Sequence, residues 1–264
     1  ADSTWATLDQ VHGAVAQQLG VRVAQVRALA CTGHGAGLYA LDANGWLVDG
    51  RAVASTDQRA QSRAEALARE QGAALFDEAG CAPWAAQPLL LAAELLGTDA
   101  FQRGAAHRIL FAKDYVALLL CGEQASDASD ASTAGLLSLA TGDWSARVIA
   151  APGLPDVGPP TFAPLTPRAQ VIGQLLPARA RACGLPAGLP VAMGAIDLLA
   201  AMEAVRAQQR GRAVAVLGTW CVNAVSAPAI EPRPAVSAIV NYGQPGQRLY
   251  MHNSPSSMAN IAWA

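Results

Sequence analysis

Apolar positions recur at helical spacing from Thr4 to Leu19, and Gly20 stands where a C-cap would end that helix. The run Val26 to Cys31 predicts a buried strand, and Leu38 to Leu41 predicts another. Asp42-Ala43-Asn44-Gly45 is a turn signal, so Trp46-Leu47-Val48 is expected to return as the second arm of a hairpin. Gln58 to Gln71 has the pattern of a polar amphipathic helix and Pro88 to Leu96 that of a short apolar one. Helical periodicity resumes from Lys113 to Cys121, with Asp114 placed in the first turn, where a carboxylate favours the positive helix end.

Residues Ser126 to Ser132 are too polar for a core by this pattern, and a turn or an exposed strand is expected there. Ala151 to Pro167 carries no periodicity and many Pro and Gly residues, so an extended loop is expected. Gln170 to Cys183 then predicts a helix, Gly184 to Gly188 a tight turn and Pro190 to Met193 a strand. A long apolar helix from about Asp197 to Gln208 follows, then a strand over Ala213 to Leu217 that ends at Gly218-Thr219-Trp220. Strands alternating with helices and hairpins place the chain in a mixed α/β class.

Composition narrows the function. The 264 residues are enough for one large domain or two ordinary ones. Net charge is −2, and Lys113 is the only lysine, so the basic face of a nucleic-acid binder is missing and no such partner is expected. No apolar run reaches membrane-spanning length, and no basic segment followed by an apolar one opens the sequence, so neither a membrane partner nor a secretory signal is expected. The five cysteines are far apart and form no Cys-x-x-Cys pair, which suits free thiols in a reducing cytoplasm. The four histidines lack ligand spacing, so a metal held only by protein groups is not expected.

Three short constellations carry candidate chemistry. Cys31-Thr32-Gly33-His34-Gly35-Ala36-Gly37 alternates glycines after a strand, but a dinucleotide loop needs a helix directly behind it, and a hairpin follows instead. What remains is either a strand end that a small ligand can approach closely, with His34 as donor or acceptor, or an ordinary glycine-rich bend. Asp197 stands alone among apolar residues in Gly194-Ala195-Ile196-Asp197-Leu198, just where a helix begins. It reads either as an N-cap or as a carboxylate that takes a proton from a substrate hydroxyl attacking phosphorus. Gly218-Thr219 ends a strand in a tight turn whose N–H and hydroxyl suit phosphate oxygens, a common arrangement.

In this order the pieces resemble the FGGY carbohydrate kinases over almost the whole chain. Thr32 to Asp42 resembles the family's sugar-contacting strand and hairpin, and Asp57-Gln58-Arg59 its Asp-x-Arg segment. Lys113-Asp114-Tyr115 through Gly122-Glu123, followed by Asp127-Ala128-Ser129-Asp130-Ala131-Ser132, is similar to a further family run. Gly184 to Val191 leading to Gly194-Ala195-Ile196-Asp197 resembles the junction between the lobes. Within the family, Gly218-Thr219-Trp220 and His252-Asn253-Ser254-Pro255-Ser256-Ser257 are most similar to L-xylulose kinases.

The resemblance implies an actin-like, ribonuclease-H-type α/β fold. Residues 1–203 would form the sugar-binding lobe without its first strand, and 204–264 would open the ATP-binding lobe. It implies ATP and Mg²⁺ as cofactors and phosphorylation of a terminal ketopentose hydroxyl. Asp197 becomes the general base and a sugar ligand, with His34, Gly35, Asp57 and Arg59 as further sugar contacts and Gly218 and Thr219 as phosphate contacts. The rivals are a sugar-binding module without catalysis and a kinase for D-xylulose, erythritol or glycerol. A homodimer is one open assembly, and a cytoplasmic location is expected.

Overall fold

The computed structural model describes residues 25–205, 212–217, 221–230, 235–242 and 246–254, together with five helical positions between Gln10 and Gln18. The remainder of the expected Thr4–Leu19 helix, and Gly218, Thr219 and Trp220, lie outside the described residues.

Among the described residues, three sheets organise the chain. The first joins β1 (Leu29–Ala30), β5 (Pro190–Ala192) and β4 (Val171–Gln174) in the order β1-β5-β4. β1 and β5 run parallel with Leu29 opposite Val191, and β4 is antiparallel to β5. The second is the antiparallel pair β2 (Tyr39–Leu41) and β3 (Arg108–Leu110). The third is antiparallel throughout, with β6 (Ala213–Leu217), β7 (Cys221–Pro228), β9 (Gln247–Ser254) and β8 (Ala238–Asn241) in the order β6-β7-β9-β8.

Helices α1 (Gln61–Ala79), α2 (Pro88–Leu95) and α3 (Ala112–Cys121) match expectation in type, although α1 runs a further two turns past Gln71 to a left-handed stop at Gly80. In α2, Pro88 sits at the first turn, where its missing N–H costs nothing, and the apolar run Leu89 to Ala93 is wholly buried in the largest core cluster. Two smaller clusters fix the later elements. Leu120, Leu175, Leu189 and Val191 tie α3 to the first sheet. Leu199 and Met202 of α7 (Asp197–Ala204) pack on Val240, Leu249 and Met251 of the third sheet.

Three local expectations are corrected. Trp46–Val48 does not form a hairpin arm: the turn closes with the Asp42 N–H on the Trp46 carbonyl (2.8 Å) and one bridge from Leu41 to Leu47, and β2 takes β3 as its partner. Asp42 explains the early stop, because its carboxylate accepts the Asn44 and Trp46 N–H groups and winds the chain into a closed loop. After the short helix α5 (Ala146–Ala150), Gln170–Cys183 is not one helix but β4 followed by α6 (Pro177–Cys183), since Pro177 removes the donor a continuous helix would need and suits a new first turn.

The third correction is the largest. Ser126–Ser132 is neither a turn nor an exposed strand; it contributes most of the helix α4 (Ala128–Thr133), and Ser126, Asp127, Ser129, Asp130 and Ser132 are all buried. Asp127, Ser129 and Ser132 tolerate burial because they have partners. Asp127 caps the helix by accepting the Ser129 N–H, Thr133 donates to the Ser129 carbonyl, and the Asn241 N–H of β8 donates to Ser132 Oγ at 2.9 Å. Ala131 and Ala134 are buried in the largest core cluster, and Ala128 packs against it.

Cys31, Cys81, Cys121 and Cys221 form no disulfide, and burial pushes the Cys81 thiol up to about 12.

Candidate functional site

The parallel strands β1 and β5 both run out toward one end of the first sheet, and the chain beyond each stays in step. Gly33 bridges to Ile196 in parallel register, Thr32 Oγ1 donates to the Ala195 carbonyl at 2.9 Å, and the Asp197 N–H donates to the Gly33 carbonyl at 2.9 Å. The glycine-rich segment and the start of α7 thus form one rim at the carboxyl ends of parallel strands, where open α/β sheets bind ligands.

Two glycines make that rim. A Cβ on Gly194 would lie 1.8 Å from the Cys31 carbonyl oxygen, so only glycine lets the two chains approach at this point. A Cβ on Gly35 would lie 2.3 Å from Ile196 Cδ1 and 3.2 Å from Asp130 Oδ1. Gly35 therefore sits directly on the residue before Asp197.

Asp197 is the first residue of α7; Ile196 is the N-cap, and no side chain caps the helix. Its carboxylate is exposed, and Oδ1 accepts the Leu198 N–H at 2.6 Å. Among the described residues, Oδ2 has no hydrogen bond. A carboxylate at this position has the helix dipole behind it and an oxygen open to an incoming hydroxyl. His34 is half-buried, with Nδ1 3.3 Å from the Gly35 carbonyl oxygen and its ring 6.3 Å from that of Tyr39.

The expected site residues do not all meet. His34, Gly35 and Asp197 share the rim through the Gly33 and Ile196 backbone. Asp57 and Arg59 lie on the segment that follows Val53, which pairs with Leu38 beyond the glycine run. Their hydrogen bonds are to each other: Arg59 Nη2 reaches Asp57 Oδ2 at 2.6 Å, and Arg59 Nε donates to the same carboxylate. That hydrogen bonding holds the Asp57 carboxyl below its usual range. Gly218 and Thr219 lie outside the described residues; β6 and β7 on either side of them pair as far as Leu217 and Cys221.

Beneath the rim lies a charge cluster that motif spacing alone does not assign. Lys113 Nζ sits 2.5 Å from Asp114 Oδ1, 2.7 Å from Asp127 Oδ1 and 3.6 Å from Asp130 Oδ2, with all four side chains at most 1% exposed. Burial works against the Lys113 charge, but Asp114, Asp130 and Asp127 outweigh it and push its pKa up. Burial also raises the carboxyls of Asp114 and Asp130 against the pull of Lys113. For Asp130 the rise is large: complete burial is its main cause, and the Asp114 and Asp127 carboxylates add to it.

The cluster reaches the rim by two routes. Ser129 Oγ donates to Asp127 Oδ2 at 2.5 Å and accepts the Ile196 N–H at 3.2 Å, one residue before Asp197. Asp130 lies against Gly35. Lys113 thereby braces both halves of the rim through α3 and α4. Its signal in the sequence is the lone lysine followed by Asp, together with Asp127 and Asp130 three apart, on one face of a helical turn.

For a nucleotide-bound divalent ion the described residues supply no cage: no group of three or more His, Cys, Asp or Glu could hold a metal. No described helix is long and apolar enough to cross a membrane.

Known proteins share this fold. The xylulose kinase from Rhodospirillum rubrum superposes with a TM-score of 0.79 at 22% identity, covering 98% of this chain and 53% of that one. The ligand-bound xylulose kinase from Lactobacillus acidophilus gives 0.85 at 15% identity over 97% of this chain and 51% of that one. The fold is thus that of the actin-like ATPases. In sequence, a probable L-xylulose kinase of Pasteurella multocida is 23% identical over 99% of this chain and 54% of its own length. An autoinducer-2 kinase of an Enterobacter strain is 26% identical over 91% of this chain and 45% of its own. The chain spans about half the length of these curated relatives. Residues 1–202 match the N-terminal domain of the FGGY family of carbohydrate kinases, and the chain belongs to that family.

Proposed function

We propose that the chain forms the sugar-binding portion of an ATP-dependent kinase that phosphorylates a terminal hydroxyl of an open-chain ketopentose resembling L-xylulose. Residues 1–203 make the sugar-binding lobe and 204–264 begin the ATP-binding lobe. The observation that carries the reading is the Asp197 carboxylate, whose Oδ2 has no hydrogen bond among the described residues, on a residue whose N–H is fixed to the Gly33 carbonyl of the glycine-rich segment.

In this reading the sugar lies along the rim, against His34 and the Gly35 backbone. Asp57 and Arg59 reach it from the neighbouring segment. The paired Asp57–Arg59 fork presents fixed donors and acceptors to sugar hydroxyls at little further entropic cost. Asp197 accepts the hydroxyl proton as that oxygen attacks phosphorus. Most of the acceleration comes from positioning and charge neutralisation. ATP with Mg²⁺ supplies the phosphoryl group, and Gly218 and Thr219 would meet its phosphates. The name of one relative, a probable L-xylulose kinase, supports a ketopentose substrate.

A coupled ADP-release assay over L-xylulose, D-xylulose, erythritol and glycerol tests the reading, together with calorimetric titration of sugar and nucleotide. Sugar-dependent ADP release that is fastest with L-xylulose supports it. Sugar heat without nucleotide heat or turnover would leave a sugar-binding module in its place, and faster turnover of a polyol would move the substrate class.

A further inference from the structure

We propose that the chain carries a second ligand site, separate from the Asp197 rim, that takes a small molecule with an oxyanion head. A cavity of about 400 Å³ lies where the start of α4 and two loops meet the third sheet. Its walls include Asp127, Thr141, Thr166, Arg168, Asn241 and Arg248, and none of the residues assigned to the sugar rim. The volume falls in the range of small-molecule pockets, about 300–1,000 Å³.

The charge balance of these walls points to the ligand. Arg168 is paired with Glu203, and its second arm donates to the Tyr242 carbonyl at 3.0 Å. Asp127 is committed to Lys113 and Ser129. Arg248 is different. Its two arms donate to neutral oxygens, Asn241 Oδ1 and the Leu139 carbonyl, and among the described residues it has no carboxylate partner. A half-buried guanidinium held by neutral acceptors has donors left over for a ligand. A second guanidinium, Arg168, lines the same cavity, and Thr141 and Thr166 line it with them. A guanidinium with spare donors, in a cavity that a second guanidinium and hydroxyls also line, is the chemistry that recognises phosphate or carboxylate.

The position gives such a ligand a consequence. It would touch β8 and β9 on one side and the α4 start and the Pro167–Arg168 loop on the other, so binding would clamp the third sheet to the layer beneath the rim.

The test titrates the chain calorimetrically at low salt with inorganic phosphate, and separately with acetate. Saturable heat with phosphate alone assigns a phosphate head; saturable heat with acetate assigns a carboxylate head. Arg248→Gln is expected to weaken binding at least about tenfold. Thr166→Glu, which supplies the missing carboxylate while leaving both arginines in place, is expected to abolish it; circular dichroism melts verify that each variant is folded. Asp197→Asn is expected to bind the anion as the parent chain does, so that failure of this site and failure of the kinase reading are told apart. Absence of saturable heat with either anion overturns the proposal, and so does parental affinity in a folded Thr166→Glu chain.

Discussion

Replacing Lys113 by Met removes the one cation from a dry pocket and leaves three carboxylates facing each other. In the parent the ammonium lies within 2.5–3.6 Å of all three, with no side chain of the group more than 1% exposed. Methionine fills nearly the same volume, so the loss is electrostatic rather than a cavity. Removing one partner of a buried ion pair typically costs about 3–5 kcal/mol, against a total stability of about 5–15 kcal/mol. For a chain of this size that is a fall of roughly 10 °C in Tm. The cost should shrink at about pH 5, where the stranded carboxyls take up protons, so urea unfolding of Lys113→Met and the parent at about pH 5 and pH 8 separates this origin from a packing defect. A loss below about 1 kcal/mol at pH 8, or one that is equal at both pH values, would refute the reasoning.

The same geometry makes the rim and the buried carboxyls testable. Gly194→Ala places a methyl 1.8 Å from the Cys31 carbonyl and must part β1 from β5, costing about 2–4 kcal/mol, measured by urea unfolding; a neutral result would mean the strands do not meet as described. Burial raises the Asp130 and Asp114 carboxyls, so the native state holds protons that the unfolded chain releases; their contribution is full below about pH 4 and falls as pH climbs through the raised values. Asp130→Asn cannot titrate, so the drop in stability from about pH 5 to pH 8 should be smaller than in the parent, and an identical pH slope in the two would remove Asp130 from the account.

Elements with an unbroken apolar period are legible from the sequence. α2, α3, β6 and the start of α7 follow from apolar spacing bounded by Pro and Gly, because there local preference and burial agree. Sequence and structure part where tertiary partners override local pattern. Ser126–Ser132 looks solvent-seeking until Lys113, distant in sequence, supplies the charge and β8 the N–H group that let it be buried. β4 reads as helix because its pairing with β5 is set by contacts no local window contains. At the candidate site, the glycine run and Asp197 are readable as motifs. Their meeting through Gly33 and Ile196, and the Lys113–Asp127–Ser129 support beneath them, require the fold.

The most direct test of the central claim is a steady-state and binding comparison of Asp197→Asn with the parent, using the best sugar of the panel. The account predicts that kcat falls by at least about a thousandfold while the sugar dissociation constant changes by less than about tenfold. Turnover close to that of the parent in a folded Asp197→Asn protein would contradict it.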